Sequence, residues 1–251
     1  MSQLHALRTG QGPTLLLLHG IGSSCTAWSA QIERLAGDFS CIAPDLPGYG
    51  DSPELRGEGL RAIVDEVAAL LDGEPAHVLG VSFGALTCIG LAHFRPELVS
   101  SLVLSDATLG RGYFPPDERA RWLQGRRRLA DELATRSAER AAEIASPQAP
   151  QQVIDEIAAH MRRARPEGYM AVARAIAETD ARPWLERIDR PALVICGEDD
   201  RVTGLDVSRL LTQQLRDSRM CTIAGAGHAP HIEQPEQFAQ AVRGFLLGAD
   251  R

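Results

Sequence analysis

Six short apolar segments alternate with helical patterns along this chain, and the alternation limits the folds that it can adopt. The apolar segments contain few polar residues, which is typical of strands in a parallel sheet covered on both faces. Strands that alternate with helices favour a doubly wound α/β fold. The predicted strands are 14–18, 40–43, 77–81, 101–104, 192–196 and 219–223. The predicted helices between and after them are 28–35, 60–71, 83–93, 206–215 and 235–247.

One stretch, 108–190, interrupts the alternation. It is helix-forming, rich in Ala, Arg and Glu, and divided by prolines. It carries 15 arginines and 13 carboxylates, which gives a formal charge of +2. The rest of the chain carries −9, so the net charge of the whole chain is −7. We therefore expect a helical cap over 108–190, inserted into a core of residues 1–107 and 191–251. The three arginines at 126–128 predict a solvated helix face, with steering of anionic substrates as the alternative.

The composition argues against several broad classes of protein. Of the 251 residues, 44% are hydrophobic and 24% charged, which is typical of a soluble globular domain. A net charge of −7 argues against a general nucleic-acid binder. We find no signal-peptide pattern and no apolar run near the roughly 18 residues of a membrane span. The five cysteines form no CxxC pair, and together these features predict a cytoplasmic chain.

Residues 80–84 read Gly-Val-Ser-Phe-Gly, a G-x-S-x-G pattern where a predicted strand meets a predicted helix. A serine hydroxyl is a poor nucleophile until geometry and a base activate it. A sharp strand-to-helix turn exposes such a serine at the edge of the sheet, and the flanking glycines let neighbouring backbone approach. The pattern therefore predicts Ser82 as a catalytic nucleophile.

The segment His19-Gly20-Ile21-Gly22 follows the predicted strand 14–18, at the edge where open α/β sheets bind ligands. The oxyanion that develops during acyl transfer needs two N–H donors. We expect these donors to be the backbone amides of Ile21 and of Phe83, the residue after Ser82. His19 itself is interpreted as a residue that organises the loop.

A general base is expected on a loop after the last predicted strand. His228 directly follows the turn 225–227 there, and an imidazole has a pKa near neutrality that suits proton transfer. His231, three residues later, is the alternative. The position of His228 immediately after the glycine turn favours it over His231.

A carboxylate must hold the imidazole in the correct tautomer. The predicted strand 192–196 is followed by the turn Gly197-Glu198-Asp199-Asp200. Asp106 follows the predicted strand 101–104, and Asp45 follows 40–43. The chain order Ser…Asp…His is the same for Asp106 and Asp200, so order alone leaves the choice open.

Together these motifs resemble those of the α/β-hydrolase fold family. The matching segments are LLLLHGIGSS (15–24), APDLPGYGDS (43–52), GVSFGA (80–85), LVICGEDDRVT (193–203) and GAGHAPHIEQPEQF (225–238). The resemblance covers about residues 4–110 and 185–247. It implies a mostly parallel central sheet with helices on both faces and a helical cap inserted after the sixth strand. The family usually has a longer N-terminal hairpin, so we expect one edge strand to be missing.

The resemblance also implies roles for individual residues. In the family the acid is the fourth residue of the G-x-x-D turn, which implies Asp200, with Asp199 and Asp106 as alternatives and Asp45 as a brace for its loop. The implied activity is that of a serine hydrolase that cleaves a carboxylic ester or lactone through an acyl-enzyme. The implied triad is Ser82, His228 and Asp200, and it needs no cofactor and no metal.

Two stretches of the sequence indicate which substrate classes the resemblance implies. Residues 168–195 resemble 3-oxoadipate enol-lactonases, and the segment 45–52 resembles the esterase that acts on pimeloyl methyl ester on acyl carrier protein. We expect the cap to shape a pocket for a small molecule, with Tyr113, Trp122 and Trp184 as pocket residues. An acyl carrier protein is the alternative partner, and neither nucleic acid nor membrane is expected.

Other enzyme classes that share this fold agree with the sequence to different degrees. Ser82 argues against dehalogenases and epoxide hydrolases, which place an aspartate there. The C–C bond hydrolases usually carry a tryptophan shortly after the catalytic histidine, and none follows His228. A C–C bond hydrolase, a cofactor-free haloperoxidase-like enzyme and a non-catalytic ligand receptor stay open as alternatives.

Overall fold

The computed structural model describes residues 4–248, and a seven-stranded sheet lies at its centre. The strands are β1 (Ala6–Thr9), β2 (Thr14–Leu18), β3 (Ser40–Pro44), β4 (Ala76–Val81), β5 (Val99–Ser105), β6 (Ala192–Gly197) and β7 (Ser218–Ile223). Their order across the sheet is β1-β3-β2-β4-β5-β6-β7. All neighbouring pairs are parallel except β1 and β3, which pair antiparallel at one edge.

Residues 4–248 also form ten α-helices. They are α1 (Ser29–Leu35), α2 (Gly59–Ala68), α3 (Phe83–Phe94), α4 (Pro116–Asp131), α5 (Leu133–Ile144), α6 (Gln151–Met161), α7 (Pro166–Glu178), α8 (Gly204–Gln214), α9 (Pro230–Glu233) and α10 (Pro235–Leu246). The sequence prediction of a doubly wound α/β fold is confirmed.

Side chains alternate between the two faces of the sheet along each strand, and helices cover both faces, so both are buried. On β2, Leu16 and Leu18 pack with residues of α2 and α3, whereas Leu15 and Leu17 pack with residues of α1 and α10. This explains why the strands read as continuous apolar segments in the sequence. The strand that the sequence analysis missed, β1, is short and half-exposed at the edge, so it lacks that pattern.

The helices α4–α7 lie between β5 and β6, where the sequence predicts the cap. The resemblance implied that the cap follows the sixth strand, but in the described chain it follows the fifth, because only β1 precedes β2. The division into a core and a cap at residues 107 and 191 stays a prediction.

The parallel strands bring the chemistry-bearing loops together. The carboxyl ends of β2, β4, β5, β6 and β7 lie at one edge of the sheet, and the loops after them carry His19, Ser82, Asp106, Asp200 and His228. Among residues 4–248, no helix combines the length and hydropathy required to cross a membrane.

Candidate active site

Ser82 lies at the sharp turn between β4 and α3. Its backbone has φ 57° and ψ −113°, a strained conformation that is typical of functional turns. Glycines make the turn sterically possible, because a Cβ on Gly84 would lie 2.0 Å from the carbonyl oxygen of Leu18. A Cβ on Gly80 would lie 2.2 Å from the carbonyl carbon of Gly84. Ser82 keeps 8% of its surface exposed and lines a cavity above the sheet.

His228 lines the same cavity and is held by Asp200. Its Nδ1 lies 3.0 Å from Oδ1 of Asp200, and its backbone amide donates to the carbonyl of Ile144 at the end of α5, at 2.8 Å. Because Nδ1 is engaged with the carboxylate, Nε2 is the ring nitrogen left for proton exchange in the cavity.

Asp200 accepts hydrogen bonds from the residues that follow it. The amides of Val202 and Gly204 donate at 2.8 and 3.0 Å, and the hydroxyl of Thr203 donates at 2.6 Å. Burial alone would raise the pKa of Asp200, but the hydrogen bond and charge of His228, together with Thr203 and Gly204, hold that pKa well below its ordinary value. The carboxylate therefore stays ionised and can stabilise an imidazolium.

The other candidate acids contact different groups. Asp199 accepts a hydrogen bond from the hydroxyl of Ser146 at 2.6 Å. Asp106 accepts from the hydroxyl of Ser105 at 2.6 Å and from the amide of Gly197 at 2.9 Å. Among the described residues, Asp200 is the carboxylate within hydrogen-bonding distance of His228.

Two of the other histidines near the site, His19 and His231, are neutral groups. His19 accepts a hydrogen bond from the amide of Leu46 at Nε2 and donates from Nδ1 to the carbonyl of Gly20, which fixes the loop after β2. His231 packs on Trp28 with ring centroids 4.6 Å apart. Burial lowers the pKa of His19, and burial together with nearby histidines lowers the pKa of His231 to about 3. The arrangement favours His228 as the base.

The two predicted oxyanion donors lie in segments next to Ser82. Phe83 is the first residue of α3, where backbone amides have no acceptor within the helix. Gly20 packs against the serine, since a Cβ there would lie 3.3 Å from Cβ of Ser82. Ile21 follows Gly20 and lines the cavity. The geometry is compatible with the predicted oxyanion site, and the role of both amides stays a prediction.

Two clusters bring three potential metal-ligand atoms within 4.8 Å of one another. The first comprises His5, Cys25 and Asp45, and the second comprises Asp106, Cys196 and Asp200. Burial raises the pKa of both thiols to about 12, so both are protonated at neutral pH in the described protein. Asp45 instead accepts from the amide of Cys25 at 2.9 Å and that of Asp51 at 3.3 Å. We interpret both clusters as structural.

The cavity above Ser82 has a volume of about 530 Å³, within the range of small-molecule sites. Tyr113 and Trp122 line it, as the sequence analysis expected. Trp184 does not: its ring stacks on His93 at 4.6 Å and contacts Phe94 at 5.3 Å, so the pocket assignment of Trp184 is corrected. A large aromatic side chain in a helical insertion carries no sequence signal for which surface it covers.

Two arginines are among the cavity residues that the sequence did not reveal. Arg111 was not singled out, and Arg126 was placed on a solvated helix face, but both line the cavity. The neighbours Arg127 and Arg128 are exposed, as predicted. The helical period of α4 distinguishes position 126 from 127 and 128, but only the packing of α4 on α7 shows which side faces inward.

The model of the alpha/beta hydrolase fold family matches residues 13–235 of this chain. The chain belongs to the alpha/beta hydrolase fold family. This confirms the resemblance that the motifs carried, and the sheet described above is the one that the resemblance implied. Within this fold, the carboxyl edge of the sheet carries a serine, a histidine and a carboxylate.

Relatives of known name add to this result. The pimeloyl-[acyl-carrier protein] methyl ester esterase of Aeromonas hydrophila is 32% identical, over 95% of this chain and 97% of that protein. Among solved structures, a malate-bound esterase from Thermogutta terrifontis is 28% identical with a TM-score of 0.90, over 99% of this chain and 94% of that one. The enol-lactonase of Burkholderia xenovorans LB400 is 25% identical with a TM-score of 0.80, over 97% and 96%.

Proposed function

We propose that this protein hydrolyses carboxylic esters through an acyl-enzyme formed on Ser82. Ser82 Oγ attacks the carbonyl carbon while His228 takes its proton, and the amides of Ile21 and Phe83 donate to the oxyanion. Collapse of the tetrahedral intermediate breaks the ester C–O bond, and the alcohol leaves with the proton from His228. Water then attacks the acyl-enzyme as His228 accepts its proton, and the acid leaves as Ser82 regains a hydrogen.

The observation that carries this proposal is that His228, whose Nδ1 lies 3.0 Å from Asp200, lines the same cavity as Ser82. A contact through Nδ1 orients the ring so that Nε2 serves as the base. The strained turn at Ser82 is a second, independent support. An ester-cleaving hydrolase is also what the family and the esterase relatives support.

Replacement of the proposed nucleophile and acid tests the mechanism. In Ser82→Ala and Asp200→Asn we expect kcat for p-nitrophenyl acetate to fall by a factor on the order of 10⁴, as in other serine triads. Ser23→Ala removes another hydroxyl of the same cavity, and Asp199→Asn removes the adjacent carboxylate. Both controls should keep near-normal turnover and fluorophosphonate labelling, whereas Ser82→Ala should not label and Asp200→Asn should label much more slowly than the wild type.

Two results would contradict the proposal. One is near-normal turnover in folded Ser82→Ala. The other is an equally large loss in Asp199→Asn, which would move the role of the acid to that residue. Absence of both labelling and turnover in the wild type would favour the ligand-receptor alternative.

For the natural substrate, we propose a methyl ester carried on an acyl carrier protein. Relatives that are 30–32% identical to this chain are named as esterases of such esters. A basic groove between α4 and α5 adjoins the cavity, and Trp122, Arg126, Leu129 and Arg140 line both. The groove also exposes Arg121, Arg128 and Arg136. Arg121 pairs with Asp117, Arg136 with Glu132 and Glu139, and Arg140 with Glu143, so among the described residues Arg126 and Arg128 are the groove arginines without a carboxylate partner. Such a surface suits an acidic carrier.

A lactone is the second candidate, and the similarity to an enol-lactonase favours it. The same acylation would open the ring, and the alcohol would stay attached to the acyl group. Turnover measured on a carrier-linked methyl ester, a free methyl ester and a lactone distinguishes the two. A carrier-linked ester that reacts no faster than the free ester would contradict the carrier preference.

A further inference from the structure

The cavity above Ser82 has an uneven charge. Its lining includes four arginines, and none of its described lining residues is acidic. The four are Arg111, Arg126, Arg140 and Arg182. Arg140 pairs with Glu143 at 2.7 Å and Arg182 with Asp180 at 2.8 Å. Within residues 4–248, no carboxylate lies at ion-pairing distance from Arg111 or Arg126, so two positive charges in the lining are not compensated by the protein.

The backbone fixes Arg111 in place. The amide of Arg111 donates to the carbonyl of Ile176 in α7 at 2.7 Å, and the amide of Gly112 donates to the carbonyl of Thr179 at 2.7 Å. Gly110 and Gly112 allow this approach: Gly110 has φ 84°, and a Cβ on it would lie 2.1 Å from the Thr179 oxygen. A Cβ on Gly112 would lie 2.7 Å from the Thr179 carbonyl carbon. The loop therefore holds Arg111 against the end of α7.

Aromatic rings also support the two guanidinium groups. The guanidinium carbon of Arg111 lies 4.0 Å from the ring centre of Phe114 and 5.4 Å from that of Trp122. Arg126 lies 4.8 Å from the same Trp122 ring and donates to the hydroxyl of Tyr169 at 3.4 Å. Both arginines thus share Trp122 as a common support, at one part of the cavity wall.

Arg111 has an unused donor. Its Nε is buried and donates to no acceptor within the described chain. A buried donor of a charged group that lacks an acceptor is destabilising, and arginine is suited to bind the two oxygens of a carboxylate or phosphate. An anionic group that enters the cavity would satisfy this donor and compensate the charge.

We propose that Arg111 and Arg126 form an anion subsite that binds a carboxylate or phosphate at the end of the substrate remote from the ester. The inference rests on the proposed function, because the ester must reach Ser82 while the anion lies at the subsite. The anion has two sources: the free carboxylate of a dicarboxylic half-ester, or the phosphate of a pantetheine arm. Either source makes the substrate an anionic ester.

Paired probes with and without the anion test the subsite. The first pair is the monomethyl and dimethyl esters of heptanedioic acid. The second pair carries the same methyl ester as a thioester on phosphopantetheine or on unphosphorylated pantetheine. In Arg111→Gln and Arg126→Gln we expect kcat/KM for the anionic member to fall roughly tenfold or more, with the neutral member unchanged. Arg182→Gln is the control, because Asp180 already pairs with that arginine.

A selective loss on the monomethyl ester identifies the free carboxylate as the anion, and a loss confined to phosphopantetheine identifies the phosphate. Equal losses on the charged and neutral members of both pairs would overturn the subsite. If the wild type hydrolyses neither these probes nor p-nitrophenyl acetate, the proposed function has failed instead. Calorimetric binding of heptanedioate and of phosphopantetheine to Ser82→Ala, with and without Arg111→Gln, then decides the subsite: weaker binding of either anion supports it, and unchanged binding of both overturns it.

Discussion

Asp106 is a second buried carboxyl group close to Asp200. One of its carboxylate oxygens lies within 4.8 Å of a carboxylate oxygen of Asp200. It has φ 46° directly after β5. Burial raises the pKa of Asp106 from 3.8 to about 7, with the charge of Asp200 adding to the rise and the charge of His228 opposing it. The group therefore titrates near neutral pH in the folded protein.

The raised pKa predicts how stability depends on pH. The folded protein holds a proton on Asp106 that the unfolded chain has released, so this contribution is complete below pH 3.8 and is lost as pH rises through about 7. Between about pH 5 and pH 8, we expect the free energy of unfolding of the wild type relative to Asp106→Asn to fall by on the order of 2 kcal/mol. Urea unfolding across this range measures it.

The exposed Asp217 provides the control for that measurement. Asp217→Asn makes the same chemical change on a turn at the opposite edge of the sheet, so its unfolding curves should run parallel to those of the wild type. Parallel curves for Asp106→Asn as well would show that the Asp106 carboxyl does not bind its proton more tightly in the folded state.

At the scale of elements, the turn between β4 and α3 depends on the close approach of α3 to β2. In Gly84→Ala the new methyl group would meet the carbonyl of Leu18, so we expect a loss of about 2 kcal/mol or more in unfolding free energy. Gly125→Ala, in the open middle of α4, should instead stabilise by about 0.5–1 kcal/mol. Thermal unfolding measures both, and equal behaviour of the two variants would contradict the steric argument.

The elements also show what a sequence can predict. The six parallel strands were predictable because burial on both faces leaves apolar segments, whereas β1 has one exposed edge and no such pattern. Asp106 and Asp200 follow the neighbouring strands β5 and β6, so order along the chain cannot separate them; the family's turn pattern favoured Asp200, and its contact with His228 supports that choice. Trp184 and Arg126 were misplaced because their surroundings depend on how the inserted helices pack.

At the scale of the whole molecule, charge is unevenly distributed: the chain has a net charge of −7, yet arginines line the groove between α4 and α5. In Arg128→Glu we expect kcat/KM for a carrier-linked methyl ester to fall several-fold at low salt, with p-nitrophenyl acetate unchanged, because opposite charges speed association. Arg216→Glu makes the same change at the opposite edge of the sheet and should have little effect. Equal losses in the two variants, or none in either, would contradict docking at this groove.

The hydrogen bonds around Arg111 also join the two ends of the inserted helices. The amide of Ala181 donates to the carbonyl of Leu109 at 3.0 Å, and Gly110 pairs with Asp180 as an isolated bridge. The chain therefore leaves the sheet and returns to it at almost the same point. A segment with adjacent ends can be exchanged for that of a relative as one piece, without moving β5 or β6. Through such exchanges, a lineage could acquire a new substrate while it keeps its reaction.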